Sequence, residues 1–600
     1  MSRVKANQIR WVVAVVLILL LATQAILSLR QKSVTVDEMM YIAAGYYHLR
    51  TSDFQMNMTN PPLMKLVSAL PLLTLDLELP SIEEDPVGWN LIEQWKYARA
   101  FLYHNRVDAD TILHLARLPI VLLSIVLGLY VFAWSRELYG ATAGLLVLFL
   151  YSFSPNILAH SRLATQDLGL TAFMFISTYY FWRYVRRPSA KTLTLSGIFF
   201  GLALLTKTTA YLLIPIFALY GLICILKNNR LGINENLPLI GRISEPRTRL
   251  RQGTSVVVSL LVIGILGLVV LNIGYGFQGT FQSFGKDAHA RIYEKLPVQN
   301  AVTSRLLDLL VDVPIPLPSP YVEGLRFQYG LAGSSGGVYF AGNIYENGLW
   351  YLQLVSFLLK TPIPTLILLV ASTAYMIVQR RELEAEWLMA TFVAVVLFFF
   401  SYLANVNVGL RYVLPIYPFV LVLIGRLFAQ EFTHHKVARI LGLALLAWYL
   451  WSSIRIYPHY LAYFNEFIGG PKNGYKYLVD SNLDWGQDLE GLKHYMEEKG
   501  IEKIKLGYFG SADAAYYGIN YDYLPSVGLA PTEPGQYWWY EIDSEEKAQL
   551  APQKGTIAVS ATLLANPGWM GPLFGDAYEW LKQYEPVDQV GYSILVYEID

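Results

Sequence analysis

The sequence predicts a polytopic α-helical membrane protein that ends in a small α/β domain. Three observations carry this: the share of apolar residues, the length of the apolar runs, and the point where those runs stop. Of 600 residues, 54% are hydrophobic and 15% charged, against roughly 25% charged in an ordinary soluble domain. The 46 basic and 46 acidic side chains cancel, so no basic surplus exists for neutralising nucleic-acid phosphates, and nucleic acid is not an expected partner. The single cysteine, Cys224, excludes an intramolecular disulfide and reads as apolar filler.

A helix crossing about 30 Å of hydrocarbon needs close to about 20 apolar residues. The runs that qualify are Trp11–Leu29, Leu115–Trp134, Ala141–Leu158, Leu168–Trp182, Val256–Ile273, Ile363–Val378, Trp387–Ala404, Val413–Leu427 and Ile440–Trp451. The run Leu193–Leu226 is split at Thr206-Lys207-Thr208-Thr209, which brings the expected total to about eleven spans. Trp11–Leu29 is too long for a signal-peptide core and lacks a small-residue cleavage site, so it reads as an anchor.

Lys and Arg in short loops orient such a chain. With the N-terminus in the cytoplasm, the short basic loops all fall on one side: Arg136; Arg183, Arg186, Arg187 and Lys191; Lys227 through Arg251; Arg380 and Arg381; Lys436 and Arg439. The chain is therefore expected in a membrane, in contact with its lipids. The extracytoplasmic parts would be loops 30–114 and 274–362 and a C-terminal α/β domain, 455–600, beyond a transmembrane domain of 1–454. In that last region Asp488–Lys499 has a helix pattern, and Lys503–Phe509, Thr556–Ala561 and Tyr592–Glu598 have strand patterns.

Charge near membrane depth gathers at the expected outer ends: Asp37-Glu38, Arg162, Asp167, Lys207 and Arg411. The middles of the spans lack it, whereas a pump or coupled transporter is expected to carry ionisable groups at mid-bilayer. The arrangement points to a site at the membrane surface. The stretch with Tyr41, Tyr46, Tyr47 and Asn60-Pro-Pro-Leu-Met-Lys65 is too apolar for a free loop and is expected along that surface.

These residues resemble a family. Asp37-Glu38 after the first span, followed by Asn60-Pro-Pro-Leu-Met-Lys65, is similar to the first outer loop of the protein O-mannosyltransferases. Those are GT-C-fold glycosyltransferases, polytopic and lipid-sugar-dependent, as are the aminoarabinose transferases of lipid A. Asn60 stands where that family often has His, and Met64 where it has Gly. His160-Ser-Arg162-Leu-Ala-Thr-Gln-Asp167 resembles the second outer loop, and Gly201-Leu-Ala-Leu-Leu-Thr-Lys207 the Gly-Leu-Ala…Thr-Lys element. Asn407-Val-Gly-Leu-Arg411-Tyr-Val-Leu-Pro415 resembles the Gly-x-Arg-Tyr-x-Leu-Pro element. Tyr463-Phe-Asn465-Glu466 and Asp480-Ser-Asn-Leu-Asp484-Trp485-Gly-Gln487-Asp488 match a signature of prokaryotic relatives.

The resemblance implies transfer of a sugar, mannose or a similar hexose by preference, from a polyprenyl-phosphate donor to an extracytoplasmic protein, lipid or glycan acceptor, with inversion. Asp37 is the expected base, with Glu38 orienting it or binding acceptor. Lys207, Arg411 and Arg162 are expected at the donor phosphate, and Asn60, Lys65 and Asp484 on the acceptor side. Asp167 is the candidate ligand for a divalent cation, Mg or Mn, since oxygen donors suit those ions. Without a family, Lys207 also reads as a snorkelling anchor, Asp167 as a helix cap and Asp480–Asp488 as an Asx-rich turn. A lipid-linked sugar flippase and a non-catalytic scaffold are the alternative classes.

Overall fold

A computed structural model describes residues 3–81, 91–227, 249–282, 314–332, 337–379, 384–404, 408–429, 436–526, 552–566 and 577–600. The basic loop 228–248 and much of the second long loop, 283–313, lie outside these residues, as does Asn407. The membrane part begins with α1 (Arg3–Leu29), α2 (Val36–Thr51), α3 (Leu63–Ala69), α4 (Leu91–Tyr103) and α5 (Ala109–Tyr139). It continues with α6 (Ala141–Ser152), α7 (Pro155–His160), α8 (Asp167–Arg186), α9 (Ala190–Leu204), α10 (Leu213–Leu226) and α11 (Arg249–Gly274). After α12 (Ser319–Ala332) come α13 (Leu352–Lys360), α14 (Ile363–Gln379), α15 (Glu384–Phe398), α16 (Leu410–Val413), α17 (Tyr417–Ile424) and α18 (Lys436–Arg455).

Among the described residues, six helical segments are long and apolar enough to cross a membrane, and the bent pair α13–α14 makes a seventh. The expected run Ala141–Leu158 breaks at Phe153 because Ser154 caps a new helix with Pro155 in its first turn, giving α6 and α7. The split at Lys207 is real: α9 ends at Leu204, and Lys207 is extended, with φ −153° and ψ 139°, before the chain re-enters a helix. Pro362 lies at the 111° bend between α13 and α14, where the helix cannot continue.

The stretch expected along the membrane surface is instead packed inward. Tyr41, Tyr46, Tyr47 and His48 of α2 are all buried, and α3 lies so close that a Cβ on Gly45 would meet the Lys65 carbonyl oxygen at 2.1 Å. Leu70, Leu73 and Leu79, after α3, are exposed apolar residues of this loop.

The C-terminal region carries α19 (Leu489–Lys499) and a five-stranded sheet, β4-β3-β5-β7-β6 in order. Its strands are β3 (Ile504–Gly507), β4 (Tyr521–Tyr523), β5 (Gly555–Ser560), β6 (Asp588–Val590) and β7 (Ile594–Ile599), after a separate hairpin β1 (Val338–Phe340) and β2 (Asn343–Tyr345). β3 pairs in parallel with β4 and β5, and β7 antiparallel with β5 and β6. The short edge strands β4 and β6 are the ones the sequence pattern does not show. One buried apolar cluster extends from Ala14 in α1 to Ile599 in β7, so the sheet region and the helices share a core.

Candidate active site

Thr35 starts α2 with extended backbone, and Asp37 follows in the first turn, where a carboxylate is favoured by the helix dipole. Its Oδ2 accepts from Arg411 Nη1 at 2.8 Å and faces the Tyr41 hydroxyl, one helical turn on, at 3.4 Å. No bond to Oδ1 is present among the described residues, and the side chain is a quarter exposed. Arg411 is supplied by α16; its guanidinium lies 4.7 Å over the Trp485 ring, and its Nε has no partner among the described residues.

A second pair stands beside the first. Lys207 Nζ donates to Asp167 Oδ1 at 2.9 Å and sits 4.2 Å above the Tyr412 ring. Asp167 also feels the charge of Arg411, so the two pairs form one cluster of alternating sign. Asn60 joins it through its Nδ2, which donates to the Tyr41 hydroxyl at 3.0 Å. His160 lines the cluster, its Nδ1 without a partner among the described residues, and burial brings its imidazole down to about 4, leaving it neutral at physiological pH. Asp480 adds a carboxylate from the C-terminal region that faces Arg411 and Asp37; burial pushes it up to about 6.

Three or more separate loops thus converge on one group of carboxylates and cations, which can take a proton and hold an anion. The family profile described as Dolichyl-phosphate-mannose-protein mannosyltransferase matches residues 113–239, which contain His160, Asp167 and Lys207. Over those residues the chain is similar to that family. No curated protein sequence matches it. Among similar solved structures are apo ArnT from Cupriavidus metallidurans, at 13% identity, TM-score 0.40, with 98% of this chain and 97% of that one covered. AglB, the oligosaccharyltransferase of Archaeoglobus fulgidus with an inhibitory peptide and dolichol-phosphate, has 12% identity, TM-score 0.46 and coverages of 90% and 62%. The S. cerevisiae Pmt1–Pmt2 complex with its sugar donor has 17% identity, TM-score 0.29 and coverages of 44% and 34%.

Four residues expected at the site from the mannosyltransferase-like motifs are placed elsewhere. Glu38 is fully buried and its oxygens are consumed: Oε1 accepts from Arg117 Nε and Ala164 N–H, Oε2 from Arg117 Nη2 and from Thr35. No lone pair remains for an acceptor, so Glu38 holds the loop junction instead. Burial would push its carboxyl up, but Arg117 and the backbone donors hold it below the usual range. Arg162 points into this second cluster, donating to the Ser28 carbonyl at 2.8 Å over the Tyr460 ring, away from the donor-side cations. Asp484 is buried against the Thr562 and Gly486 N–H groups, at 2.9 and 3.4 Å. Lys65 is buried on the Asn57 and Asn60 carbonyls and so braces Asn60 rather than meeting substrate.

The residues do not suit a resident cation. Among the described residues no group of three or more His, Cys, Asp or Glu side chains converges as a metal site. Asp167 is already neutralised by Lys207, and a divalent ion there would have to displace that ammonium. Arg117 is a charged residue that sequence reasoning missed, a lone Arg near the start of an apolar run being the available signal; Asp480 stands in the signature Asp480–Asp488 but was given no place at the site.

Proposed function

We propose that the chain is a glycosyltransferase moving a hexose, mannose by preference, from a polyprenyl-phosphate carrier to an acceptor hydroxyl at the extracytoplasmic face of the plasma membrane. The observation that carries this reading is the joined pair Asp37–Arg411 and Asp167–Lys207 with Asp37 Oδ1 left open. The carrier's chain would lie in the bilayer and its phosphate at the interface, between the Arg411 and Lys207 cations.

Asp37 Oδ1 takes the proton of the acceptor hydroxyl as its oxygen bonds to the sugar C1. The C1–O bond to phosphate breaks on the opposite face, so the anomeric centre inverts. The electron pair leaves with the phosphate, whose growing charge Arg411 and Lys207 stabilise. The acceptor class, protein, lipid or glycan, is set by what approaches Asp37.

Membranes carrying the chain, supplied with labelled mannosyl-phospho-undecaprenol, should transfer label to an acceptor or to water. Asp37→Asn should lower the rate about 100-fold or more, the scale for losing a general base. Equal rates for wild type and Asp37→Asn would refute the assignment.

A further inference from the structure

The loop Asp480–Asp488 touches the backbone on both sides of the Asp37–Arg411 pair. On the cation side, Asn482 Oδ1 accepts from the Leu410 N–H at 2.9 Å, and its Nδ2 donates to the Val408 carbonyl at 3.0 Å. Gly409 between them has φ 90°, and a Cβ there would stand 2.2 Å from Asn482 Oδ1. The turn before Arg411 is therefore shaped around this one amide.

On the base side, the Trp485 carbonyl accepts from the Val36 N–H at 3.0 Å, one residue before Asp37. The Ser33 N–H donates to the Gln487 carbonyl at 3.1 Å, and the Ser33 hydroxyl to the Gly486 carbonyl at 3.0 Å. The Trp485 indole, 2% exposed, then carries the Arg411 guanidinium on its face at 4.7 Å. The loop itself is rigidly held: the Trp485 N–H donates to Gln487 Oε1 at 2.7 Å, and Asp484 accepts from Thr562.

We propose that Asn482 and Trp485 are positioning residues that fix Arg411 against Asp37, so that the C-terminal region is a structural part of the active site. The catalytic meaning rests on the proposed function; the geometry does not. Misplacing a catalytic pair by about 1 Å is enough to cost about 100-fold in rate.

The test reads the Asp37–Arg411 distance without any donor. In a Cys224→Ala background, Asp37→Cys places a thiol beside Arg411, whose charge favours the thiolate. The pH dependence of its alkylation by iodoacetamide gives its pKa, expected below the ordinary value of about 8.5. Arg411→Ala, Trp485→Leu and Asn482→Ala should each raise it by about one unit, a tenfold loss of thiolate. Lys503→Ala, an exposed pair partner of Asp522, should leave it unchanged. Trp485→Phe keeps the ring face and the backbone carbonyl and should stay near the parent. Asn482→Asp keeps the acceptor for the Leu410 N–H, loses the donors to the Val408 and Val479 carbonyls, and should shift partway; these two keep the test open where the larger changes do not fold. A thiol that responds to Arg411→Ala but to neither loop residue overturns the proposal, as does one indifferent to Arg411→Ala. Failure of the mannosyl-transfer assay leaves this readout untouched, so the two readings fall separately.

Discussion

Arg411 Nη1 lies 2.8 Å from Asp37 Oδ2, a contact between residues 374 positions apart in the chain. It holds the carboxylate by one oxygen and leaves N–H groups of the same guanidinium for an anion. Lys207, bound to Asp167, has protons to spare in the same way.

Arg411→Ala and Lys207→Ala should therefore weaken binding of undecaprenyl phosphate, each by about tenfold or more, the scale of a charged hydrogen bond. Arg186→Ala should not, because Arg186 sits over Trp182 at the far end of α8, about 30 Å along the helix from Asp167. Titration of each purified variant with the lipid phosphate checks this, and equal affinities would reduce the two cations to anchors.

The Glu38–Arg117 pair has a structural rather than chemical part. Both side chains are 0% exposed, and Arg117 also donates to the Leu29, Lys32 and Ser33 carbonyls. Removing one partner of such a pair strands a buried charge, at about 3–5 kcal/mol. Arg117→Met and Glu38→Gln should each lower the thermal midpoint in detergent markedly, while Asp37→Asn moves it little. Unchanged midpoints would contradict the locking role.

Stability of the C-terminal junction should fall as pH rises. Burial pushes Asp484 up to about 7, against about 3.9 for an unfolded Asp. A raised acid pKa means that its contribution is full below the unfolded value and is lost through the folded one. Between about pH 5 and about pH 8 the thermal midpoint should drop, and Asp484→Asn should lessen the slope. Asp488, though buried, is held below the usual range by Lys32 and His459, so its contribution changes only in acid outside that window. A slope identical in the variant would remove Asp484 as its source.

The expected orientation puts the sheet region outside the cytoplasm. Glu585 is exposed there, whereas Ser526 is half-buried and bonded to the Leu524 carbonyl. Glu585→Cys in a Cys224→Ala background should react with a membrane-impermeant maleimide in intact cells once any outer membrane is permeabilised. Labelling only after plasma-membrane rupture would put the site on the cytoplasmic side.

Much of this was legible in the sequence because hydrophobic length and charge position are local properties. The helix breaks at Lys207 and the outer-end cations needed no tertiary knowledge, and the motifs singled out Asp37, Asp167, Lys207 and Arg411, which the fold gathers. Composition cannot tell which of two adjacent acids turns outward. Asp37 and Glu38 share the first turn of α2, yet helical geometry swings them to different sides, one to Arg411 and one to Arg117. Nor can spacing reveal that Asp484 and Arg162 bond to groups far along the chain. Asp480 is the same case in reverse: its approach to Arg411 follows from a left-handed residue, φ 55°, in a loop remote in sequence.

The hydrogen bonds from Ser33 and Val36 to Gln487 and Trp485 also set an order of events during synthesis. The turn that presents Asp37 leaves the ribosome before its carbonyl partners, which are made more than four hundred residues later. Until residue 488 has been translated and has reached the same side of the membrane, Asp37 cannot be held in its final setting. A chain that stopped after α18 would carry the membrane helices but lack the carbonyls that hold the turn before Asp37.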